Sequence, residues 1–368
     1  MKPVLIFGKF DILHPGHMSF IKYAQPFGSV TVVLESDEAI KRINNFLPTQ
    51  SEIIRQKSLK RMGLDVYLRH QETLGELLNI FKPEIVCLGY DQNYLKRELT
   101  NIAASTKPSW KIVYAPSLKP ELFKASKLRS IIDDKLAGIY LLDKPKGANS
   151  FKVVSILRKV LNIKKVGFSG TLDPLATGLL ILATGRATRL LDWFHGLEKT
   201  YEAKIVFGQT SATYDLESEI VINNQAKVFT KKTLEAILNK FLGKQSQRVP
   251  IYSAKKVQGQ KLYEAARRGK VVEAPLTNIE IYSLKIKKFN YPELNLEVKC
   301  SAGTYIRSLA YDLGQSLGTG AVLADLRRTQ IGPWEVGQAL TIDKITKTSL
   351  ADCRRNPQEF IDYFNGIS

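Results

Sequence analysis

The sequence predicts two successive domains. An α/β domain with a mainly parallel sheet takes residues 1–135, and an α+β domain with a mixed or antiparallel sheet takes 136–334, followed by a short extension, 335–368. Three observations lead there. In the first third, short apolar runs alternate with helix-period segments, the pattern of a parallel sheet with helical crossovers. Beyond Gly138, strand-like alternation dominates and helical stretches are fewer. The chain, at 368 residues, is long enough for about two domains with cores of their own.

In the first domain, Val4 to Phe7 is an apolar run ending at Gly8, and Met18, Ile21 and Ala24 follow at helical spacing. Ser29 to Leu34, Asp65 to Leu68, Glu84 to Gly89 and Lys111 to Tyr114 read as strands, with helices over Ser51 to Arg61 and Thr73 to Phe81. Ligands in such sheets bind beyond the carboxyl ends of the strands. There the chain reads Gly8-Lys9-Phe10-Asp11-Ile12-Leu13-His14-Pro15-Gly16-His17. Two histidines three apart at a helix start suit a nucleotide phosphate, because the helix N-terminus offers backbone donors and imidazoles add hydrogen bonds to developing charge. A metal site is the other reading of two His and an Asp, but His-Pro-Gly-His is not one continuous helical face. This segment resembles the nucleotidyltransferase superfamily bearing the HxGH motif, which includes cytidylyltransferases and flavin-nucleotide synthetases and has a Rossmann-like sheet. Lys124 to Ser130 resembles its Ser/Thr-rich basic segment, and Gly89-Tyr90-Asp91-Gln92 lies where such domains contact base or substrate. The resemblance implies that His14 and His17 stabilise the α-phosphate, that Lys9, Ser126, Lys127 and Arg129 hold a triphosphate, that Asp91 belongs to the site, and that Mg2+ with ATP or CTP serves it. Where the family has Gly-Thr-Phe-Asp or Gly-Asn-Phe-Asp, this chain has Lys9; a fold that only binds nucleotide or supports RNA binding is the alternative.

The join to the second domain is short, with no Ser/Gly/Pro-rich linker between Lys135 and the strand-like Gly138 to Leu142. Phe151 to Leu161 reads as a helix, Tyr201 to Phe207 as a half-buried strand, and Leu284 to Lys287 and Leu294 to Cys300 also alternate. Lys231 to Leu242, Ile306 to Leu317 and a tail from Leu350 to Phe364 read as helices. The informative stretch is Gly170-Thr171-Leu172-Asp173-Pro174-Leu175-Ala176-Thr177-Gly178, entered from Lys164, Lys165 and Ser169 and running into the apolar Leu179 to Ala183. Pro174 biases Asp173 away from the helical region, and the glycines permit sharp turns. An Asp before an apolar run commonly caps a helix; an acid fixed in a tight loop beside a buried element is the reactive alternative.

This loop resembles the catalytic motif of the TruB family of tRNA pseudouridine synthases, and further segments follow in the family's order. They are Leu141 to Gly147, Lys199-Thr200-Tyr201, Val249 to Lys256 with Gly259 and Leu262 to Glu264, Cys300 to Arg307, and Leu326-Arg327-Arg328, together spanning about Gly138 to Trp334. The resemblance implies the pseudouridine synthase fold and isomerisation of a tRNA T-loop uridine, position 55, without metal or organic cofactor. It implies that Asp173 is the essential carboxylate, that Arg307 pairs with it, and that Tyr201 stacks on the flipped base and helps remove the C5 proton. Lys144, Phe168, Tyr252, Lys255 and Leu326 would contact the RNA. Phe168 stands where the family usually carries a histidine wedged into the RNA loop; a phenyl ring can stack but not hydrogen-bond. Read without the resemblance, Tyr201 is a core aromatic, Arg307 a surface arginine, and Tyr252 with Lys255 a solvated loop.

Composition fits an RNA partner. Of the net +19, residues 1–135 contribute 20 basic and 14 acidic side chains (+6) and the remainder 34 and 21 (+13). Excess positive charge suits a polyanion, though charge alone does not separate this from a generally basic proteome. Cys87, Cys300 and Cys353 show neither metal nor redox spacing, no apolar run reaches the ~18 residues of a membrane span, and Met1 to Gly8 lacks a signal-peptide core, so cytosol is the default compartment. The leading expectation is a tRNA pseudouridine synthase with a nucleotide-binding or nucleotidyl-transferring first domain. The rivals are a cytidylyl- or adenylyltransferase for a small phosphate ester or flavin precursor with an RNA-binding half, and a non-catalytic RNA-binding protein.

Overall fold

The computed structural model describes residues 2–364 apart from 14, 46, 107, 117–124, 254, 258, 259 and 263–273. The chain divides into two compact units, residues 1–137 with 355–368, and residues 138–354.

The first unit contains β1 (Pro3–Gly8), α1 (Pro15–Ala24), β2 (Ser29–Glu35), α2 (Asp37–Asn44), α3 (Glu52–Arg61), β3 (Asp65–Arg69), α4 (Leu74–Phe81), β4 (Ile85–Leu88), α5 (Asn93–Thr106), β5 (Lys111–Tyr114) and α6 (Ala125–Ile132). Its sheet has the order β3-β2-β1-β4-β5 and every pairing is parallel. Successive side chains of a strand point to opposite faces, so Val4 and Ile6 of β1 enter one core while Leu5 and Phe7 enter the other. That is why the central strand reads as an unbroken apolar run. Chain order reverses between β1 and β4, which opens a crevice at their carboxyl ends. Gly8 to Leu13 leaves β1 there, and the Gln92 side chain closes the floor, donating to the Phe7 carbonyl at 2.6 Å and accepting from the Gly89 N–H at 2.8 Å. Helices α2 and α5 escape the sequence reading for physical reasons. Short α2 is rich in charge and starts on the Ser36 cap, whose hydroxyl accepts the Ala39 N–H, and α5 buries Leu99 alone in full.

The second unit is built on a large mixed sheet. Its elements are β6 (Gly138–Lys144), α7 (Ser150–Leu161), β7 (Val166–Ser169), β8 (Thr177–Thr184), α8 (Leu191–His195), β9 (Lys199–Phe207), β10 (Gln209–Ser211), β11 (Ile220–Ile222), α9 (Lys231–Lys240), β12 (Gly243–Arg248), a small hairpin β13 (Lys256–Val257) and β14 (Gln260–Lys261), β15 (Leu276–Asn290), β16 (Glu293–Cys300), α10 (Ile306–Ser316), β17 (Ala321–Ile331), β18 (Trp334–Glu335), β19 (Leu340–Thr341) and α11 (Lys347–Asp352). The order is β12-β15-β16-β9-β17-β8-β6-β19. Most pairs are antiparallel, but β17 meets the start of β8 in parallel through Arg327 to Thr177 and Arg328 to Gly178, while β7 pairs with Ile181 to Thr184 of β8. The apolar faces of β9, β16 and β17 share a core with α9 and α10. A second core joins β6, β8 and α7, which is capped by Asn149 accepting from the Lys152 N–H at 2.7 Å.

The C-terminal residues are not one extension. Leu340 and Thr341 add a strand to β6, and Leu350 of α11 enters the β6–α7 core. The expected single helix from Leu350 to Phe364 is two, α11 and α12 (Pro357–Phe364), because Pro357 disfavours the helical region at Asn356. Residues from Arg355 onward belong with the first unit, where α12 runs beside α6.

Gly178 holds the seam of the second sheet. Its φ is +105°, and a Cβ there would stand 2.2 Å from the Arg328 carbonyl oxygen. Gly178→Ala therefore combines a backbone clash with a strained conformation, and urea unfolding of the full chain should show a loss of about 2–5 kcal/mol from the two effects together.

Candidate active site

The loop from Gly170 to Ala176 joins two antiparallel neighbours, β7 and β8. Asp173 therefore caps no helix; the apolar run after it is a buried strand. The loop is fixed on both sides of the acid. Leu172 exchanges hydrogen bonds with the Ser150 hydroxyl, its N–H donating at 3.1 Å and its carbonyl accepting at 3.3 Å. The Pro174 carbonyl accepts from the Gly147 N–H at 2.8 Å, and the Asp173 carbonyl from the Ala176 N–H at 3.1 Å. Leu172 and Ala176 are buried in the core with Tyr201 and Leu326. With its neighbours pinned, the Asp173 carboxylate stands out with 42% of its side chain exposed.

Arg307 meets it from the first turn of α10. The helix start is set by Gln247, whose amide donates to the Tyr305 carbonyl at 3.0 Å and accepts from its N–H at 2.8 Å. Arg307 is 5% exposed, so it is not a surface arginine. Its Nε lies 3.0 Å from Asp173 Oδ2 and its Nη1 3.5 Å from Asp215 Oδ2; Nη1 also donates to the Thr213 carbonyl at 3.1 Å and Nη2 to that of Tyr252 at 3.0 Å. A buried guanidinium needs this completeness, because an uncompensated buried charge costs several kcal/mol. Asp215, fully buried, is the residue the sequence reading missed. Its carboxylate accepts from the Glu217 N–H at 2.9 Å and from the Thr213 hydroxyl. Glu217 faces the same loop, accepting from the Leu175 N–H; desolvation, then the charges of Asp215 and Asp173, push its pKa up.

A second buried arginine, Arg328, braces the loop from β17. Its Nε donates to the Leu179 carbonyl at 2.8 Å and its Nη2 to that of Gly170 at 3.0 Å. It also hydrogen-bonds the Tyr201 hydroxyl, whose pKa burial raises despite the neighbouring positive charge. Lys199 is buried as well, its ammonium donating to the carbonyls of Phe194, His195 and Leu197, and burial brings its pKa down to about 8.

Lys144 corrects the sequence reading. Expected to contact RNA, it is fully buried, and its ammonium donates to the carbonyls of Pro145 at 3.0 Å and Ala148 at 2.6 Å, holding the turn before α7. Tyr252 offers its carbonyl to Arg307, and its ring is half-buried. Lys255 is exposed. Leu326 is buried beside Tyr201, and its carbonyl accepts from the Thr177 hydroxyl. Phe168 is half-buried on β7, edge-on to Phe151 with ring centroids 5.3 Å apart.

In the first unit, Lys9 sits at the crevice, its pKa lowered by burial against the opposing pull of Glu35, Asp11 and Asp91. Asp91 is exposed, and the His17 ring packs 5.0 Å from that of Phe10. Phe10 and Ile12 have φ of +46° and +55°, conformations L-residues rarely adopt. Asp11 between them holds the loop, accepting from the N–H groups of Thr49 and Gln50 and pairing with Arg129 at 2.7 Å. Arg129 also donates to the Thr49 hydroxyl at 2.8 Å, and its side chain is 30% exposed. His14 and the side chains of Ser126 and Lys127 lie outside the described residues. Among the described residues there is no group of three or more His, Cys, Asp or Glu placed to hold a metal ion, and no helix is long and apolar enough to cross a membrane.

Residues 158–306 match the TruB family pseudouridylate synthase N-terminal domain, and 307–361 the tRNA pseudouridylate synthase B C-terminal domain. The tRNA pseudouridine synthase B of Opitutus terrae is 40% identical over 221 residues, 60% of this chain and 92% of that protein; the one from Xanthomonas campestris pv. campestris (strain B100) is 42% identical over 211 residues, 57% and 68%. The chain belongs to the TruB family of pseudouridylate synthases. A solved Cbf5-Nop10-Gar1 complex aligns with a TM-score of 0.47 at 26% identity, covering 67% of this chain and 62% of that one.

The buried Lys144 yields a pH test. Burial lowers its pKa from 10.5 to about 8. Below pH 8 both folded and unfolded chains hold the proton; between 8 and 10.5 the folded chain sheds it first, so this group makes stability rise with pH. Comparing Lys144→Met with wild type by urea unfolding should show the difference between them changing by about 3 kcal/mol across that window, in favour of wild type as pH rises.

Proposed function

We propose that this protein converts a uridine of the tRNA T loop, position 55, to pseudouridine. The 3.0 Å contact between Asp173 Oδ2 and Arg307 Nε, in a loop open to solvent on one side, carries the reading. Family membership, the tRNA pseudouridine synthase B name of its relatives and the +13 charge of the second half support it. The reaction breaks the glycosidic bond, rotates the base, joins C5 to C1′ and removes the C5 proton. The uridine must leave its stack to reach a loop this rigid. Asp173 then attacks sugar or base, or stabilises positive charge on the sugar, while Arg307 orients it. Leu326 lines the apolar wall, and Tyr201 supplies a stacking face. Its hydroxyl, hydrogen-bonded to Arg328, helps remove the C5 proton. Phe168 acts as a stacking wedge, and Tyr252 and Lys255 border the RNA. No metal or organic cofactor enters these steps.

Asp173→Ala and Asp173→Asn should cut tritium release from C5-labelled tRNA transcript by roughly 10⁴-fold or more. Full turnover in Asp173→Ala would sink the assignment.

For the first unit, the crevice at β1 and β4 favours a nucleotide-binding reading, with nucleotidyl transfer to a small phosphate ester or flavin precursor as its extension. Lys9 and His17, with His14, Ser126 and Lys127, would face the phosphates. The acids around Lys9 fit a nucleotide carried as its magnesium complex better than a bare triphosphate. Thermal unfolding of the full chain with ATP or CTP, each with magnesium, is the measurement. One nucleotide should stabilise the first unit by about 2.7 kcal/mol at 100 times its Kd, and Lys9→Ala should abolish the shift. Absence of any shift would leave this unit as a scaffold.

A further inference from the structure

Outside the Asp173 loop, the second unit carries a groove of about 320 Å³ between α7, β7 and α8, lined by Phe151, Val154, Arg158, Phe168, Thr188 and Leu191 among others. Two features set it apart from an ordinary surface dent. Phe151, near the start of α7, is 69% exposed, an unusual place for a phenyl ring. It meets half-buried Phe168 at an interplanar angle of 87°, so that Phe168 forms the wall and Phe151 stands out of it. Around the groove the charge is lopsided. Lys152, Arg158, Lys159, Lys164, Lys165 and Arg186 are all exposed on or next to its lining segments, against the carboxylate of Asp192. Of these cations Arg158 lines the groove itself, its Nη2 donating to the Val166 carbonyl at 3.2 Å, and the others flank the lining segments in sequence. An exposed ring flanked by cations is the pattern of a single-stranded nucleic-acid site, where any base offers a π-face and cations track the backbone.

We propose that this groove binds one unstacked nucleobase of the RNA substrate outside the target uridine, with Phe151 as its stacking platform and the surrounding cations on the adjoining phosphates. The proposal rests on the RNA-modifying reading above. It assigns Phe151 a role in substrate binding that is separate from the chemistry at Asp173. The volume sits at the lower end of the ~300–1,000 Å³ of small-ligand sites, room for a base and not for a paired stem.

The test is the affinity of the full chain for a T-arm stem-loop RNA, by fluorescence anisotropy, in wild type, Phe151→Ala and Phe151→Tyr. Phe151→Ala should weaken binding about 5- to 100-fold, the range for losing one base stack. Phe151→Tyr should stay within about two-fold of wild type, since the ring is kept. A fully paired RNA of equal length should bind wild type and Phe151→Ala alike, its bases being unavailable. The single-turnover rate at saturating stem-loop should be unchanged in Phe151→Ala. Equal stem-loop affinity for Phe151→Ala and wild type would overturn the proposal, as would an equal loss on paired RNA or a slower saturated rate at unchanged affinity. A wild-type protein that binds the stem-loop with this Phe151 dependence yet makes no pseudouridine would overturn the catalytic reading and leave the binding site standing.

Discussion

The guanidinium of Arg307 is the point on which the second unit's site is assembled. It gathers four segments distant in sequence: the Asp173 loop, the Thr213 to Asp215 turn, the Tyr252 carbonyl and its own helix. Each contact answers the desolvation of a cation that the fold has taken out of water. The consequence for chemistry is orientation. A carboxylate paired through one oxygen, in a loop hydrogen-bonded on both sides of it, keeps one direction of approach.

The same logic repeats around it. Arg328, Lys144 and Lys199 are buried cations whose hydrogen-bond partners are largely backbone carbonyls. Carbonyls that leave a regular strand need donors, and a long cationic side chain can reach several at once. The positive charge of this half is therefore of two kinds. Part is spread on the surface, where it suits RNA, and part is structural and turned inward.

How much of this could be read from the sequence follows from where each signal lies. The parallel sheet was legible because a strand covered on both faces is apolar throughout, and the Asp173 loop because its glycines, proline and acid are contiguous. Helices α2 and α5 were not: α2 is only eight residues long and rich in charge, and α5 buries a single residue in full, so neither shows a long apolar stripe. Lys144 was misplaced because its role was inferred from the resemblance of Leu141 to Gly147 alone; its inward turn depends on the Pro145 and Ala148 carbonyls, which only the folded turn brings together. Asp215 was missed because its meaning comes from Arg307, 92 positions away (307 − 215), and a Thr-Tyr-Asp triplet by itself looks like any loop. The tail was legible as helical, but the proline that divides it was overlooked.

Two hydrogen bonds between Ser150 and Leu172, one in each direction, and one from the Gly147 N–H to the Pro174 carbonyl tie the start of α7 to the Asp173 loop. With Gly178 wedged against Arg328 at the loop's far end, the acid has little room to travel. In the proposed reaction, the movement must then be made by the nucleic acid. Choice among RNAs becomes a matter of compliance as much as of letters: two loops with the same bases around the uridine would be told apart by how readily each yields.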